Sequence, residues 1–286
     1  MTDETFSITL LRESRFGLDG GAMFGIIPRP IWEKTNPADE ANRIEMAARN
    51  VLIQKGEKKI LIDVGMGENW SKKERSIYKI EDQDPALIQQ FQAQGITPED
   101  ITDVILTHLH FDHAGGLLKR TEEGLQPTFP KATHWVQRQN WAWAHYPSQR
   151  DQGSYRREDF DFLGTGDGPE LRLVDGIDEI LPGIEVLPLH GHTVGMQAVK
   201  IKGPEHTYLF LADLIPTSSH FRAPYVMGYD LAPLKTVEEK KELLYHGIRQ
   251  DWILLFSHDP FHGIGRVEED SKRQPRFIAL SEDFLP

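Results

Sequence analysis

The sequence predicts an α/β fold in which candidate metal ligands follow the ends of several strands. Four short apolar runs each lead into a turn that carries histidine or aspartate. A helical pattern with one apolar face precedes the last of these runs. Open α/β sheets bind ligands at the carboxyl ends of their strands. These strand ends are therefore the candidate functional positions, and the elements that lead to them are taken in chain order.

Composition limits the kind of partner that the chain can have. The 286 residues carry a net charge of −12 and contain no cysteine, which argues against a nucleic-acid partner and excludes disulfides, thiolate ligands and a cysteine nucleophile. No apolar run is long enough to span a membrane, and the acidic start 1–7 lacks a secretory signal. We expect one domain over residues 1–286, a cytoplasmic location and no membrane partner.

The N-terminal part predicts one strand and one unusual loop. Phe6 to Leu11 has the pattern of a first strand, whereas Leu18 to Trp32 is apolar but rich in glycine and proline, which predicts no regular helix there. The apolar side chains of this loop must be buried somewhere. They pack either on their own domain, or in a homodimer interface through Met23 to Trp32, or as a wall of a substrate pocket.

A hairpin and a short helix follow. Asn50 to Gln54 and Lys59 to Asp63 predict paired strands that turn at Lys55 to Lys58. Pro85 to Gly95 predicts an amphipathic helix in which Gly95 serves as the C-cap.

The densest cluster of chemically capable side chains comes directly after the apolar run Ile101 to Thr107. Within six residues the chain places His108, His110, Asp112 and His113. Imidazole and carboxylate together suit zinc, iron, manganese or cobalt. A polar loop that is rich in histidine by chance is the alternative. The small residues Ala114 to Gly116 would let a helix start close beneath the metals.

An aromatic segment interrupts the pattern at about 135–165, with seven aromatic side chains between Trp135 and Phe162. It predicts an insertion that lies over the site. The alternative is a helical hairpin that packs on the sheet for stability alone.

Three further candidate ligands each follow a predicted strand. His192 comes after Ile184 to Leu189, Asp213 after Tyr208 to Ala212, and His258 after Trp252 to Phe256.

A helix precedes the last of these strands. It is predicted over Thr236 to Gln250, with Thr236 and Glu239 at the spacing of a capping box. Val237, Leu244 and Ile248 share its apolar face.

The order HxHxDH, then His, Asp and His, resembles the metallo-β-lactamase superfamily. The resemblance implies a four-layer αββα sandwich with two divalent ions, zinc first and iron, cobalt or manganese as alternatives. It implies His108, His110 and His192 as ligands of the first ion. It implies Asp112, His113 and His258 as ligands of the second ion, with Asp213 as a bridge. Seven ligands exceed the capacity of one tetrahedral ion but suit two neighbouring ions.

Supporting roles are predicted for other polar residues. Asp63 would accept a proton from a ligating imidazole. His220 is the predicted substrate-facing donor, and with Asp112 and Asp213 it completes the predicted catalytic set. His190 and His262 are weaker candidates near the site. The remaining histidines are expected to lie on the surface or in packing positions, namely His134, His145, His206 and His246.

Two sequence blocks favour one reaction within the superfamily. Thr107 to Gly116 resembles acyl-homoserine-lactone lactonases, and Asp19 to Gly25 resembles a branch of bacterial quorum-quenching enzymes that is also similar to methyl-parathion hydrolases. The resemblance implies ring opening of acyl-homoserine or related lactones by attack of a metal-bound hydroxide. The alternative is an organophosphate or aryl-ester hydrolase with the same site, whose pocket Trp141 and Trp143 would help to form.

One position departs from the lactonase pattern. Lactonases of this fold carry a tyrosine three residues after the bridging aspartate, where this chain has Pro216. Either His220 or a tyrosine of the insertion replaces it, or the substrate differs. A redox module related to flavo-diiron proteins would need a flavodoxin domain and more carboxylate ligands. A glutathione-thioester hydrolase would need a basic patch. The sequence indicates no flavodoxin domain, no additional carboxylate ligands and no basic patch.

Overall fold

The computed structural model describes residues 6–82, 87–166 and 168–286. The strands in this part of the chain are β1 Phe6–Asp19, β2 Arg43–Lys55, β3 Lys58–Ile62, β4 Glu81–Asp82, β5 Asp103–Ile105, β6 Leu118–Thr121, β7 Gly124–Pro127, β8 Thr133–Gln137, β9 Leu171–Val174, β10 Asp178–Leu181, β11 Ile184–Leu189, β12 Met196–Lys202, β13 Thr207–Phe210, β14 Ile253–Leu255, β15 Ile264–Glu269 and β16 Pro275–Ala279. The α-helices are α1 Gly20–Phe24, α2 Arg29–Trp32, α3 Lys72–Ile77, α4 Leu87–Ala93, α5 Phe111–Ala114, α6 Arg138–His145, α7 Arg157–Phe160 and α8 Pro233–Gln250. None of these helices is long and apolar enough to cross a bilayer.

The chain divides into two compact units. Unit 1 comprises Met1–Arg15, Ala48–Asp175 and Leu285–Pro286, and unit 2 comprises Phe16–Ala47 and Gly176–Phe284. That residues 1–286 form a single domain stays a prediction.

One seven-stranded sheet has the order β4-β1-β2-β3-β5-β8-β9, and its last four strands run parallel. Parallel strands bring their carboxyl ends to the same edge of a sheet. Asp63 directly follows β3, and His108 follows β5 by three residues. The sheet therefore brings the residues after these two strands to one edge.

The predicted hairpin is confirmed, and the Gly- and Pro-rich loop is partly corrected. Lys55 pairs with Lys58 at the turn between β2 and β3. Residues 20–32 do contain helix, as the single turns α1 and α2. The Asp19 carboxylate accepts a hydrogen bond from Ala22 N at 2.8 Å, and Gly25 (φ 54°) ends the first turn. The breaking residues thus limit each helix to about one turn instead of preventing helix formation.

The helix predicted at Pro85 to Gly95 is present as α4 from Leu87 to Ala93, and residues 83–86 lie outside the described part of the chain. Gly95 has a left-handed φ of 72°, as expected near a helix end.

The helix predicted to start at Ala114 to Gly116 is present as a short 3-10 helix, Gly115–Leu117. It is preceded by the α-helical turn α5, Phe111–Ala114, which contains the candidate ligands Asp112 and His113. The expected close backbone approach is present, because a Cβ atom on Gly116 would lie 2.0 Å from the Val64 carbonyl oxygen. A glycine is therefore required at this contact.

The aromatic segment is the crossover between the parallel strands β8 and β9, and it contains α6 and α7. Tyr155, Phe160 and Leu163 belong to the hydrophobic core of unit 1, and Trp141 and Trp143 pack against that core half-buried. The segment therefore contributes to stability, as the alternative interpretation expected. Its position over the site stays a prediction.

The second seven-stranded sheet has the order β10-β11-β12-β13-β14-β15-β16. β11 and β12 form an antiparallel hairpin that pairs Leu189 with Met196, whereas β13 and β14 run parallel. His192 lies in the hairpin loop, Asp213 follows β13 and His258 follows β14. All three positions are therefore at one edge of this sheet.

The long helix α8 starts three residues earlier than predicted, at Pro233, and the predicted capping box is absent. Thr236 lies within the helix, and its hydroxyl donates to the Ala232 carbonyl at 3.5 Å. Glu239 turns away from the helix start and accepts hydrogen bonds from the loop that precedes His192. The spacing of Thr236 and Glu239 therefore does not reflect a capping box, because Glu239 binds the loop before His192 instead.

Candidate metal centre

Unit 1 contributes the contiguous ligand loop. His108, His110, Asp112 and His113 are all buried, with exposed fractions between 0% and 8%. The Asn140 side chain accepts a hydrogen bond from Leu109 N at 2.9 Å, which fixes the backbone in the middle of the loop. The His108 Nε2 and His110 Nδ1 atoms lie 3.1 Å apart. Two ring nitrogens therefore point at a common position.

Asp63 organises this loop, and its predicted contact with a ligand imidazole is present. Its carboxylate accepts hydrogen bonds from His113 Nδ1, Thr107 N and the Thr107 hydroxyl, each at 2.8 Å. Because the only hydroxyl proton of Thr107 goes to Asp63, the Thr107 oxygen must accept from His108 Nδ1, 3.1 Å away. Asp63 itself has a φ of 54°, a conformation that non-glycine residues adopt mainly where structure demands it.

Unit 2 contributes a carboxylate that faces two imidazoles. The Asp213 Oδ1 atom lies 3.0 Å from His258 Nε2, and its Oδ2 atom lies 3.4 Å from His192 Nε2. All three side chains are buried. One carboxylate thus presents one oxygen to each histidine, so that it could contact two cations.

The other ring nitrogen of each of these histidines is held by an acceptor. His192 Nδ1 donates to the Asp230 carboxylate at 3.0 Å, and His258 Nδ1 donates to the Ala47 carbonyl at 2.9 Å. Carboxylates and carbonyls only accept, so each Nδ1 carries the proton and each Nε2 presents a lone pair. Sequence reasoning missed Asp230, because no spacing in the chain links it to His192.

These tautomers make the site fit cations. The hydrogen-bond partners put lone pairs on Nε2 of His108, His113, His192 and His258. Nε2 of His192 and of His258 then faces an Asp213 oxygen, so that acceptor faces acceptor at 3.0–3.4 Å. Such an arrangement needs a positive charge between the atoms.

The ligand atoms form two groups. The first contains His108, His110 and His192, and the second contains Asp112, His113, Asp213 and His258. The two predicted ligand sets contain these same residues, with Asp213 as the bridge, and they stay a prediction. The groups support a dinuclear centre for divalent metal ions.

His220, the predicted substrate-facing donor, is not available for that role. Its side chain is completely buried, its Nε2 donates to the Met23 carbonyl at 2.8 Å, and its Nδ1 accepts from the Thr217 hydroxyl at 2.8 Å. Its ring stacks on Phe24 with centroids 4.5 Å apart. Burial lowers the pKa of His220 to about 4, so that the ring is neutral. His220 is therefore a packing residue of unit 2.

The two weaker histidine candidates have local contacts. The Nδ1 atom of His190 accepts a hydrogen bond from Gly195 N at 3.2 Å, which closes the loop around His192. His262 packs against Phe277 with ring centroids 5.9 Å apart, and its backbone N–H donates to Asp259 at 2.6 Å.

Aromatic side chains contact the ligand loop in unit 1, and of these the aromatic segment identified from the sequence includes Tyr155 but not Trp70 or Tyr78. Phe111 contacts Trp70 and Tyr78, with ring centroids 5.4 and 5.0 Å away. Burial, and after it the Asp112 carboxylate, raises the pKa of the Tyr78 hydroxyl. The ring of Tyr155 lies edge-on to His110 at 4.6 Å. Apolar surface thus lies directly beside the ligands.

Comparison with known proteins identifies the family. The sequence model of the metallo-β-lactamase superfamily matches residues 47–264. This chain belongs to that superfamily, and the predicted fold class is confirmed.

Several relatives have described activities. N-acyl homoserine lactonase AttM of Rhizobium radiobacter is 29% identical over 207 residues, which are 69% of this chain and 71% of the relative. The structure of a probable metal-dependent hydrolase from Staphylococcus aureus is similar with a TM-score of 0.87 and 29% identity, over 98% of this chain and 99% of that one. The dizinc quorum-quenching lactonase AidC has a TM-score of 0.78 at 19% identity, over 96% and 95% of the two chains, which is a likeness of fold alone.

Proposed function

We propose that the protein is a metal-dependent lactonase that opens acyl-homoserine or related lactones. The observation that carries the proposal is the Asp213 carboxylate, which faces lone pairs of two imidazoles whose other nitrogens are fixed. The likeness to N-acyl homoserine lactonases supports the choice of substrate class.

The ligand assignment follows the two groups of side chains. His108, His110 and His192 would hold one ion, Asp112, His113 and His258 would hold the other, and Asp213 would contact both. Zinc suits a set of imidazoles with few carboxylates, and iron, cobalt and manganese are the alternatives. When bound, such ions supply a water of lowered pKa and polarise the carbonyl under attack.

Residues around the candidate ligands fix the orientation and the tautomer of the histidines in the absence of substrate. Asp63 and Asp230 hold His113 and His192 in the tautomer that places the ring lone pair on Nε2. Burial of the ligands lowers the local dielectric, so that charge that develops on a substrate oxygen interacts strongly with the site. Pro216 has no donor and both nitrogens of His220 are engaged, so we assign neither of these two side chains to the lactone carbonyl.

The first test measures proton release when a chain-length series of acyl-homoserine lactones is added to zinc- or cobalt-loaded protein. Each ring opening yields a carboxylic acid, and we expect saturable release that a chelator abolishes. Asp213→Ala should abolish the release and lower the metal content, whereas exchange of the exposed Lys241 for Met should change neither. Full activity of the Asp213→Ala variant would refute the proposal.

A second candidate function uses the same site on organophosphate or aryl esters. The aromatic cluster of Trp70, Tyr78 and Phe111 beside Asp112 favours it, because aryl groups pack well on such surfaces. Metal-loaded protein that releases no proton from lactones but liberates 4-nitrophenol from aryl esters or phosphotriesters would favour this function.

We further propose a homodimer and a cytoplasmic location. Ile26 is 82% exposed and Ile31 is 50% exposed, although neighbouring Met23, Phe24 and Trp32 are buried. A second copy could cover this apolar surface. Sedimentation equilibrium at micromolar concentration, on the wild type and on Ile26→Glu, tests it. A wild type that stays monomeric would exclude the dimer.

A further inference from the structure

Helix α8 carries two adjacent, oppositely charged side chains that are both buried. Glu239 is 6% exposed and Lys240 is 0% exposed. Each makes its hydrogen bonds to backbone groups of a loop and not to an opposite charge. Burial of a charged group without an ion pair is costly. The hydrogen bonds that compensate for this burial are those to the backbone groups that the two side chains hold in place.

Glu239 fixes the loop that presents His192. Its carboxylate accepts hydrogen bonds from His190 N at 2.9 Å and from Gly191 N at 3.0 Å. The loop fits tightly against the helix, since a Cβ atom on Gly191 would lie 2.4 Å from the backbone nitrogen of Thr236. The backbone before His192 is therefore clamped to α8.

Lys240 fixes a second loop, which ends at Asp230. Its ammonium donates to the His220 carbonyl at 2.8 Å and to the Tyr225 carbonyl at 2.7 Å. Asp230 accepts from His192 Nδ1, and the backbone of Leu231 donates to the His192 carbonyl at 3.0 Å. The segment that Lys240 anchors is thus the segment that orients the His192 ring.

We infer that Glu239 and Lys240 are positioning residues for metal binding, which set the place and the ring orientation of His192 from one helix. Glu239 acts through the backbone of the His192 loop. Lys240 acts through the segment from His220 to Asp230. This inference rests on the proposed role of His192 as a metal ligand.

The test is competition for cobalt(II) between a chromophoric chelator and four single variants. Lys240→Met and Glu239→Gln keep the size of the side chain and remove its charge. Glu238→Gln and Lys241→Met are the matched controls, because both residues are exposed neighbours on the same helix. We expect each buried variant to weaken the binding of one cobalt equivalent by about 10- to 100-fold, with an altered visible spectrum, and the other equivalent to bind normally.

The melting temperature of the metal-free variants separates positioning from mere stability. A buried variant that melts earlier but binds both cobalt equivalents with unchanged affinity and spectrum would overturn the inference, as would weakened binding in the controls. If Lys240→Met does not fold, Lys240→Gln keeps a donor and is tested in its place. Because cobalt binding is measured without a lactone, a wild type that binds two ions and opens no lactone would refute the proposed function and leave this inference intact.

Discussion

The two halves of the ligand set are built in different ways. Unit 1 supplies four candidate ligands from one stretch, His108 to His113, which a single carboxylate, Asp63, organises. Unit 2 supplies three candidate ligands from three separate strand ends, the first and last of them 66 residues apart (258 − 192). Their positions depend on the strand order of the sheet and on α8. Local sequence therefore specifies one half, whereas topology specifies the other.

The difference shows in what supports each half. In unit 1 the supporting atoms come from Thr107 next to the loop, from Asp63 directly after β3 and from Asn140 in α6. In unit 2 they come from a distant loop and a helix, and Asp230 and Glu239 follow His192 by dozens of residues. A dispersed site needs more positioning residues, because each ligand arrives on a separate element.

The largest expected effect is on activity and metal binding, and it differs between variants of the two candidate carboxylate ligands, Asp213 and Asp112. Asp213 faces histidines of both groups, whereas Asp112 belongs to one. Asp213→Asn should lower kcat/KM on the order of a thousandfold and weaken both ions, whereas Asp112→Asn should weaken one ion. Metal analysis after dialysis, alongside kinetics, measures this. Equal loss of a single ion in both variants would contradict the bridging role of Asp213.

A smaller effect compares the supporting carboxylates. Asp63→Asn and Asp230→Asn should each weaken metal binding by about 10- to 100-fold. Asp63→Asn should have the larger effect, because Asp63 also holds the backbone and hydroxyl of Thr107. Isothermal titration with zinc gives both affinities. A larger loss for Asp230→Asn would show that the contiguous loop keeps its shape without Asp63.

Apart from the candidate metal ligands, a buried neutral histidine lies in each unit and predicts a loss of stability in acid. Burial lowers the pKa of His134 in unit 1 and of His220 in unit 2 from 6.5 to about 4. The unfolded chain binds more protons between these values, so their contribution is complete above pH 6.5 and disappears as the pH falls toward 4. Each histidine contributes on the order of 3 kcal/mol to this change.

Urea unfolding of the metal-free protein from pH 7 to pH 4 tests this expectation. His134→Asn and His220→Gln keep the donor to Ala132 and to Met23 respectively and cannot be protonated. Each variant should show a flatter dependence of the unfolding free energy on pH. A variant with the wild-type slope would indicate that the histidine has the same pKa in the folded and the unfolded chain.

The smallest effect concerns the end of α8, the helix that supports the unit 2 ligands. Asp251 caps it in a left-handed conformation with φ 50°, which glycine adopts without strain. Asp251→Gly should raise the unfolding free energy by about 0.5 kcal/mol, since relief of strain outweighs the added chain entropy. Asp251→Ala removes the same carboxylate but keeps the strain, so its melting temperature should fall. If both variants have the same melting temperature, backbone strain at residue 251 does not determine the change in stability.

The sequence by itself determined the fold class and the candidate ligands. Short apolar strands, the spacing of His108 to His113 and the polar residues after later strands are local patterns, and they were readable because each strand end falls at a fixed place in a sheet. Asp63 was also predicted, since it follows a strand of the same hairpin that leads to the site.

Only the tertiary structure decided which side chains support the unit 2 ligands. Asp230, Glu239 and Lys240 act on His192 through contacts between segments far apart in the chain. His220, predicted to face the substrate, is instead held by Met23, almost two hundred residues earlier. Hydrogen bonds of this kind depend on the final positions of whole elements. The sequence therefore specifies the chemical groups, and packing decides which of them meet.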